Sequence, residues 1–538
     1  MSFSNNSKEA TSMGDQLPAI IVLAPMFGAM FVALLGNRDH RVCFPIVFAS
    51  LLISLCASIA AAQQVYTTGA IDYFMAGWEE PIGIGIHLRI DALNALLLVL
   101  ISVVVVLVSF FSIRRAGEQH TEKTPQFYVL YLLLCVGLLG ISITGDAFNL
   151  FVLVEVSSLT SYGLVAMGSS RRGTHAALNY LLMGTVGASF YLVGVGYLYL
   201  MTGTLNMQDI HAILQANDAV SGSTAVIIAF LFILLGIWIK MAFFPLHGWL
   251  PNAYSYCPST SACILAPLMT KVSVYVMIRV MIGIFGVEWV FVHLGWSHLV
   301  VWLAVIAILA GSMLALAQRE IKKMLCYLIV VEVGYMVGGA WLSDPDHWGL
   351  TGSLYHILAD AMMTLCLFLA AGIFAKRLGA VEIKDLEGLF KKMPLTSIAF
   401  VIAALGMIGV PPTAGFYSKF YLIRGAIEGA HWEYVAALLI SSLVNAVLFF
   451  RIFEIAFFGN KPAEGHGHDD HHEDESETQQ GQVGDSTLLG REPAWSALFP
   501  LLTSAAIIIL LGLFNGPIVE LIRESLENLP SIVATQAD

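Results

Sequence analysis

The sequence predicts an all-α polytopic membrane protein of about 14 transmembrane helices, built as two inverted five-helix repeats with helices 7 and 12 broken. Three observations predict it. Of the 538 residues, 58% are apolar and only 12% are Asp, Glu, Lys or Arg, with mean hydropathy +0.79. Apolar runs of about 20 residues, the length that crosses a hydrocarbon core, recur from Leu17 to Leu521. Two of these runs carry prolines at matching positions, which is the sequence mark of repeats meeting at an ion site.

In order, the spans fall at roughly 17–36, 41–62, 91–113, 126–144, 146–167, 175–203, 223–253, 260–285, 298–318, 321–342, 348–375, 395–428, 432–457 and 495–523. The first follows a polar head with a single Lys8 and has no small-residue cleavage site, so it reads as a retained helix. Basic residues such as Arg38, Arg41, Arg171, Arg172, Lys322, Lys323, Lys391 and Lys392 follow odd-numbered spans. Acidic ones such as Asp72, Asp209, Glu288, Asp344 and Glu433 follow even-numbered spans. The positive-inside rule then makes the odd-to-even loops cytoplasmic and puts both termini on the outer side of the inner (plasma) membrane. The chain divides into N-terminal helices 1–3 (1–125), a first repeat of helices 4–8 (126–285) and a second of helices 9–13 (286–457). An acidic, histidine-rich cytoplasmic loop (458–494) and helix 14 with its tail (495–538) follow.

The two breaks are explicit. Pro245 and Pro251 lie in KMAFFPLHGWLPNAY on span 7, and Pro411 and Pro412 in GMIGVPPTAGFYSKF on span 12. Proline removes a backbone donor and clashes with the preceding turn, so both helices break inside the membrane. Simple packing kinks are the alternative, and the lysines beside both breaks argue for ion sites instead.

Four charges, Glu155, Lys240, Lys271 and Lys419, sit in otherwise apolar stretches. A charge at membrane depth is expensive and therefore faces a partner or a water-filled path. Burial disfavours a lysine's charge and a neighbouring carboxylate favours it, so a Glu155–Lys240 pair that forms and breaks would act as a proton switch. The plainer readings are a structural ion pair for Glu155 and Lys240, and snorkelling or capping of broken backbone for Lys419. His247, just after the first break, is suited either to satisfying freed carbonyls or to carrying protons. Trp249, Tyr254 and Trp302 read as interfacial belt residues.

The motifs GDAFNLFVLVE, KMAFFPLHGWLPNAY, MTKVSVYVMIR and GVPPTAGFYSKF, taken in order, resemble the antiporter-like subunits shared by respiratory complex I, membrane-bound hydrogenases and Mrp-type sodium/proton antiporters. The resemblance runs from about residue 90 to 455. The twelfth-helix lysine and the segment HAALNYLLMG are most similar to the D-type Mrp subunit. It implies proton or sodium translocation inside a hetero-oligomeric complex with other membrane subunits and no bound cofactor. Carried over, it gives Glu155, Lys240, Lys271, His356 and Lys419 as the translocation residues. A lone histidine has no spacing signature, and a hydrogen-bonded core role is the alternative for His356. The chain departs from the family pattern at Asp360, Thr364 and Glu332, and Glu332 or Asp360 would then pair with Lys419 or His356. A sodium-handling role is also open, because hard cations take oxygen ligands.

Other chemistry finds no site. The seven cysteines lack metal or redox spacing, and there is no GxGxxG or GxxxxGK[ST], so no redox or hydrolytic centre is expected in this chain. The net charge of −12 is partly local: seven acids and four histidines (His466, His468, His471, His472) fall between Glu464 and Glu477, leaving no basic surface for nucleic acid. That segment has weak metal-binding chemistry and no apolar residues to fold around. The function expected is therefore a proton or sodium translocating subunit of a multi-subunit cation/proton antiporter. The alternatives are a proton-pumping subunit of a complex I-like or hydrogenase complex, a membrane partner of an inorganic carbon uptake system, or a non-transporting anchor. Charges at mid-membrane on both repeats decide against the anchor.

Overall fold

The computed structural model describes residues 13–75, 85–113, 123–168, 170–378, 382–458 and 492–527. Its membrane helices are α1 (Leu17–Leu35), α2 (Cys43–Thr68), α3 (Ala92–Ser112), α4 (Thr124–Ile143), α5 (Ala147–Ala166), α6 (Arg171–Thr202), α7a (Thr224–Lys240) with α7b (Leu250–Tyr256), and α8 (Ser259–Val280). Then come α9 (Ser297–Leu316), α10 (Ile321–Ala340), α11 (Trp348–Leu378), α12a (Pro394–Ile408) with α12b (Ala414–Glu428), α13 (Trp432–Phe458) and α14 (Trp495–Leu513). Among the described residues twelve helices are long and apolar enough to cross a membrane, and the two broken pairs begin with shorter apolar helices, α7a and α12a.

Local chemistry sets where these helices start. Prolines stand in the first turns of α1, α4 and α12a, where the missing N–H is not needed. Asp91 and Asn94 form a reciprocal capping box at α3, and Asp146 caps α5 by accepting from Asn149 N at 2.6 Å. Ser170 does the same for α6. Helices α6 and α12a end at left-handed glycines, Gly203 (φ 73°) and Gly409 (φ 93°).

Two features lie outside the all-helical expectation. A small antiparallel hairpin, β1 (Ile71–Phe74) with β2 (His87–Ile90), fills the loop between α2 and α3. His87 Nε2 meets Asp72 Oδ1 at 2.8 Å and Arg89 Nη1 lies 3.1 Å from it; His87's hydrogen bond above all, with Arg89, holds the Asp72 carboxyl below its usual range. After α8 the chain passes through π-helical turns at Met281–Phe285 and Trp289–His293.

Each of the two runs of five helices, α4–α8 and α9–α13, contains one broken helix, α7 and α12. The molecule is organised around α11. Its most apolar stretch is wholly buried, packed by α8, α10, α12b and α14, so every polar side chain on it must find a partner inside the protein.

Candidate functional site: a buried string of charges across both repeats

The string starts on α5. Glu155, Ser158 and Tyr162 follow one another at three- and four-residue steps and so share a helix face. Lys240, the last residue of α7a, donates to Glu155 Oε1 and Ser158 Oγ, both at 2.8 Å, and to Tyr162 OH at 3.4 Å. The pair is largely buried, with side-chain exposures of 9% for Lys240 and 23% for Glu155.

At the first break Trp249 Nε1 donates to Ile239 O at 3.0 Å, a carbonyl that also accepts from Ala242 N at 3.2 Å. Trp249 also stacks on Tyr180 at 4.1 Å, and Tyr254 is fully buried beside them. These two aromatics are therefore core residues, against the interfacial expectation; Trp302, half exposed, fits it. For Trp249 the difference lies in its indole N–H, which reaches the Ile239 carbonyl at the end of α7a, and for Tyr254 in its packing against Tyr180 and Trp249. His247 is half-buried and stacked on Phe244 at 5.1 Å. Of the prolines, Pro245, Pro411 and Pro412 are exposed and Pro251 is buried.

Beside Lys240 lies a cavity of about 30 Å³, lined by Ser157, Ser158, Met269, Val272 and Ser273 among others. It has room for about two waters and extends from the first lysine towards α8. There Lys271, fully buried, meets Asp360 Oδ2 of α11 at 2.8 Å, and Thr364 donates to Asp360 Oδ1 at 2.8 Å. One turn away on α11, His356 Nε2 contacts Glu332 Oε2 of α10 at 2.6 Å, and its Nδ1 contacts Ser418 Oγ at 2.8 Å. One ligand atom each from Glu332, His356 and Asp360 lie within 4.8 Å of one another.

Lys419 follows Ser418 on α12b. It donates to Met407 O at 2.7 Å and Ser442 Oγ at 3.0 Å, and lies 5.1 Å from the Tyr335 ring centroid. Tyr335 is also 5.7 Å from the His356 ring. Lys419 thus caps the second break and makes no ion pair among the described residues.

Each of Glu155, Lys240, Lys271 and His356 thus has a charged partner, and Lys419 caps the second break. The partners differ from expectation in one respect. Glu332 pairs with His356 as one of the options had it, while Asp360 takes Lys271 instead of Lys419 or His356. With Glu332 and Asp360, Glu155 makes three carboxylates against the three lysines Lys240, Lys271 and Lys419. Ser158, Tyr162, Ser418 and Ser442 are not legible in the sequence, since small hydroxyls inside apolar helices carry no distinctive spacing. Nor is Arg279, at the far end of α8, which pairs with Asp91 at 2.6 Å. His466, His468, His471 and His472 lie outside the described residues.

Comparison with known proteins bears directly on this arrangement. Residues 144–445 match the family model described as NADH:quinone oxidoreductase/Mrp antiporter, transmembrane. The chain is 40% identical to the N-type subunit of NADH-quinone oxidoreductase of Desulforudis audaxviator (strain MP104C), over 94% of this chain and 97% of that one. It is 31% identical to the D-type subunit of the Na(+)/H(+) antiporter of Bacillus subtilis (strain 168), over 77% and 81%. Among solved structures, a chain of the Mrp complex from Dietzia sp. DQ12-45-1b superposes with TM-score 0.82 at 26% identity, covering 96% of this chain and 98% of that one. The matched region contains both breaks and Glu155, Lys240, Lys271, Glu332, His356, Asp360 and Lys419, and the chain belongs to the NADH:quinone oxidoreductase/Mrp antiporter family of membrane subunits.

Proposed function

We propose that this chain is an ion-translocating subunit of a multi-subunit membrane complex and that it moves protons along the string from Glu155 to Lys419. One observation carries the reading: three largely buried ion pairs, Glu155–Lys240, Lys271–Asp360 and Glu332–His356, and the capping Lys419 lie in series within otherwise apolar helices of both repeats. A structural core would not require that series. Lys240 is the switch. While Glu155 holds it, the ammonium is favoured; when the pair opens, desolvation favours the neutral amine and the proton is released towards the cavity. Lys271–Asp360 and His356–Glu332 then pass protons through waters and hydroxyls to Lys419 at the second break. A cation/proton antiporter is the first assignment for the host complex. A redox-driven proton pump is the second, and the 40% identity to an NADH-quinone oxidoreductase subunit supports it. The basic loops are assigned to the cytoplasm, with both termini outside.

The test is Glu155→Gln and Lys240→Ala in the assembled complex, reconstituted in vesicles with a pH-sensitive dye. Removing one partner of a buried pair costs about 3–5 kcal/mol or discharges the other. We expect assembly to survive and proton movement to fall at least tenfold. Undiminished flux in either variant would remove Glu155 and Lys240 from the path.

A further inference from the structure

We propose that a zinc-class divalent cation binds between His298, His431 and Glu433, on the face opposite the basic loops, and that it clamps the second repeat. His298 is exposed on the first turn of α9, His431 is buried in the turn between α12b and α13, and Glu433 stands on the first turn of α13. One ligand atom from each lies within 4.8 Å of the others. The two imidazole rings are 4.6 Å apart, and His431 Nδ1 is 2.8 Å from Glu433 Oε1.

The donor set selects the ion. Two imidazoles and a carboxylate suit zinc and its neighbours, whereas calcium and magnesium take all-oxygen shells. Bond lengths of about 2.0–2.2 Å would set the ligand atoms roughly 3.3 Å from one another, so the His431–Glu433 pair at 2.8 Å opens slightly and His298 closes in, shifts within reach of side-chain rotation. A fourth position stays open to water. The backbone fixes the buried ligand. Ala430 takes φ 57°, unusual for a residue with a Cβ, and His431 N returns to Ala426 O at 2.8 Å, which turns the imidazole inward under α9.

The clamp joins the start of α9 to the start of α13, one residue before Tyr434. Tyr434 OH donates to Tyr335 O at 2.6 Å, and Tyr335 flanks both His356 and Lys419. A cation held at this end restrains the helix that positions Tyr335 and slows ion movement through the second repeat. The braking rests on the proposed function; the binding does not.

The experiment uses the assembled complex carrying the full chain, with His466, His468, His471 and His472 replaced by alanine so that the histidine-rich segment binds no metal. Zinc is titrated against a chromophoric chelator, and X-ray absorption reports its ligands. The expected result is one zinc more than in His298→Ala, with nitrogen and oxygen ligands only and at least tenfold weaker binding in His298→Ala and Glu433→Gln. Equal zinc content and affinity in parent and His298→Ala would overturn the site. His298 is exposed, so its variant is expected to fold even where His431→Ala does not. In flux assays zinc should slow the parent and spare His298→Ala; equal inhibition of both would overturn the brake. A parent with no flux in the absence of zinc would refute the proposed function and leave the binding result standing.

Discussion

Asp360 and Lys271 are both fully buried and 2.8 Å apart, so neither charge has water to fall back on. Removing one partner of such a pair strands the other, at about 3–5 kcal/mol, while replacing both by apolar groups is close to neutral. Asp360→Asn is therefore expected to lower the melting temperature and yield of the purified complex. The double variant Lys271→Met, Asp360→Leu should recover most of that loss without regaining proton flux. Recovery of flux in the double variant would show that the pair is structural only. At this scale the sequence was informative about which charges lie inside apolar helices, because a lysine or glutamate inside an apolar run stands out on cost alone. It was much less informative about partners. Lys271–Asp360 joins helices three apart in the chain, and even for His356 and Glu332, on the consecutive α11 and α10, nothing in the order of residues says which faces meet.

At the scale of elements, both breaks were legible from proline and glycine, but what stabilises each one was not. In the second break Gly415 lies against the carbonyl of Gly406, so closely that an added Cβ would collide with backbone, and Gly512 of α14 meets Pro412 O in the same way. Gly248, in the first break, has open space around its Cα. Gly415→Ala should thus prevent accumulation of the folded complex, whereas Gly248→Ala should leave expression and flux near wild type. Equal tolerance of the two, measured by size-exclusion yield, would contradict this packing. The turn from α10 into α11 gives a pH signature. Asp344 is buried there, accepts from Gly349 N through both oxygens at 3.1 Å, and is pushed up to about 6 by desolvation. A carboxyl raised on folding binds its proton more tightly in the folded state. Its contribution to stability is therefore present below the unfolded value of 3.8 and is lost as pH rises towards about 6. The loss is on the order of 2–3 kcal/mol. Asp344→Asn, which keeps an acceptor without the charge, should melt higher than wild type at pH 8 and show a smaller advantage at pH 5. An advantage that does not change with pH would assign no titration to this carboxyl.

For the whole molecule, the span count and the inverted repeats were readable because a bilayer leaves helices few alternatives. The use of small residues was not. Gly184 and Gly187 of α6 pack against Tyr162 and Gly236, and Gly334, Gly338 and Gly339 of α10 against Ile308, Tyr434 and Leu422, all within this chain. These faces are therefore already occupied, and other subunits must meet the outer surfaces of the bundle. Exposed apolar side chains cover those surfaces, for instance Leu178, Leu182, Val186 and Val193 along α6 and Leu439, Leu443 and Phe450 along α13. The relatives are likewise named as subunits. A single series of protonatable groups also has to be coupled to something, either a redox module or a second path for the counter-ion. This chain, purified alone and reconstituted, should accordingly give no coupled cation/proton exchange above empty vesicles, and exchange should return only with its partner subunits. Robust sodium-driven proton flux from proteoliposomes holding this polypeptide alone would make it a self-sufficient antiporter, with its counter-ion path inside the same fourteen crossings.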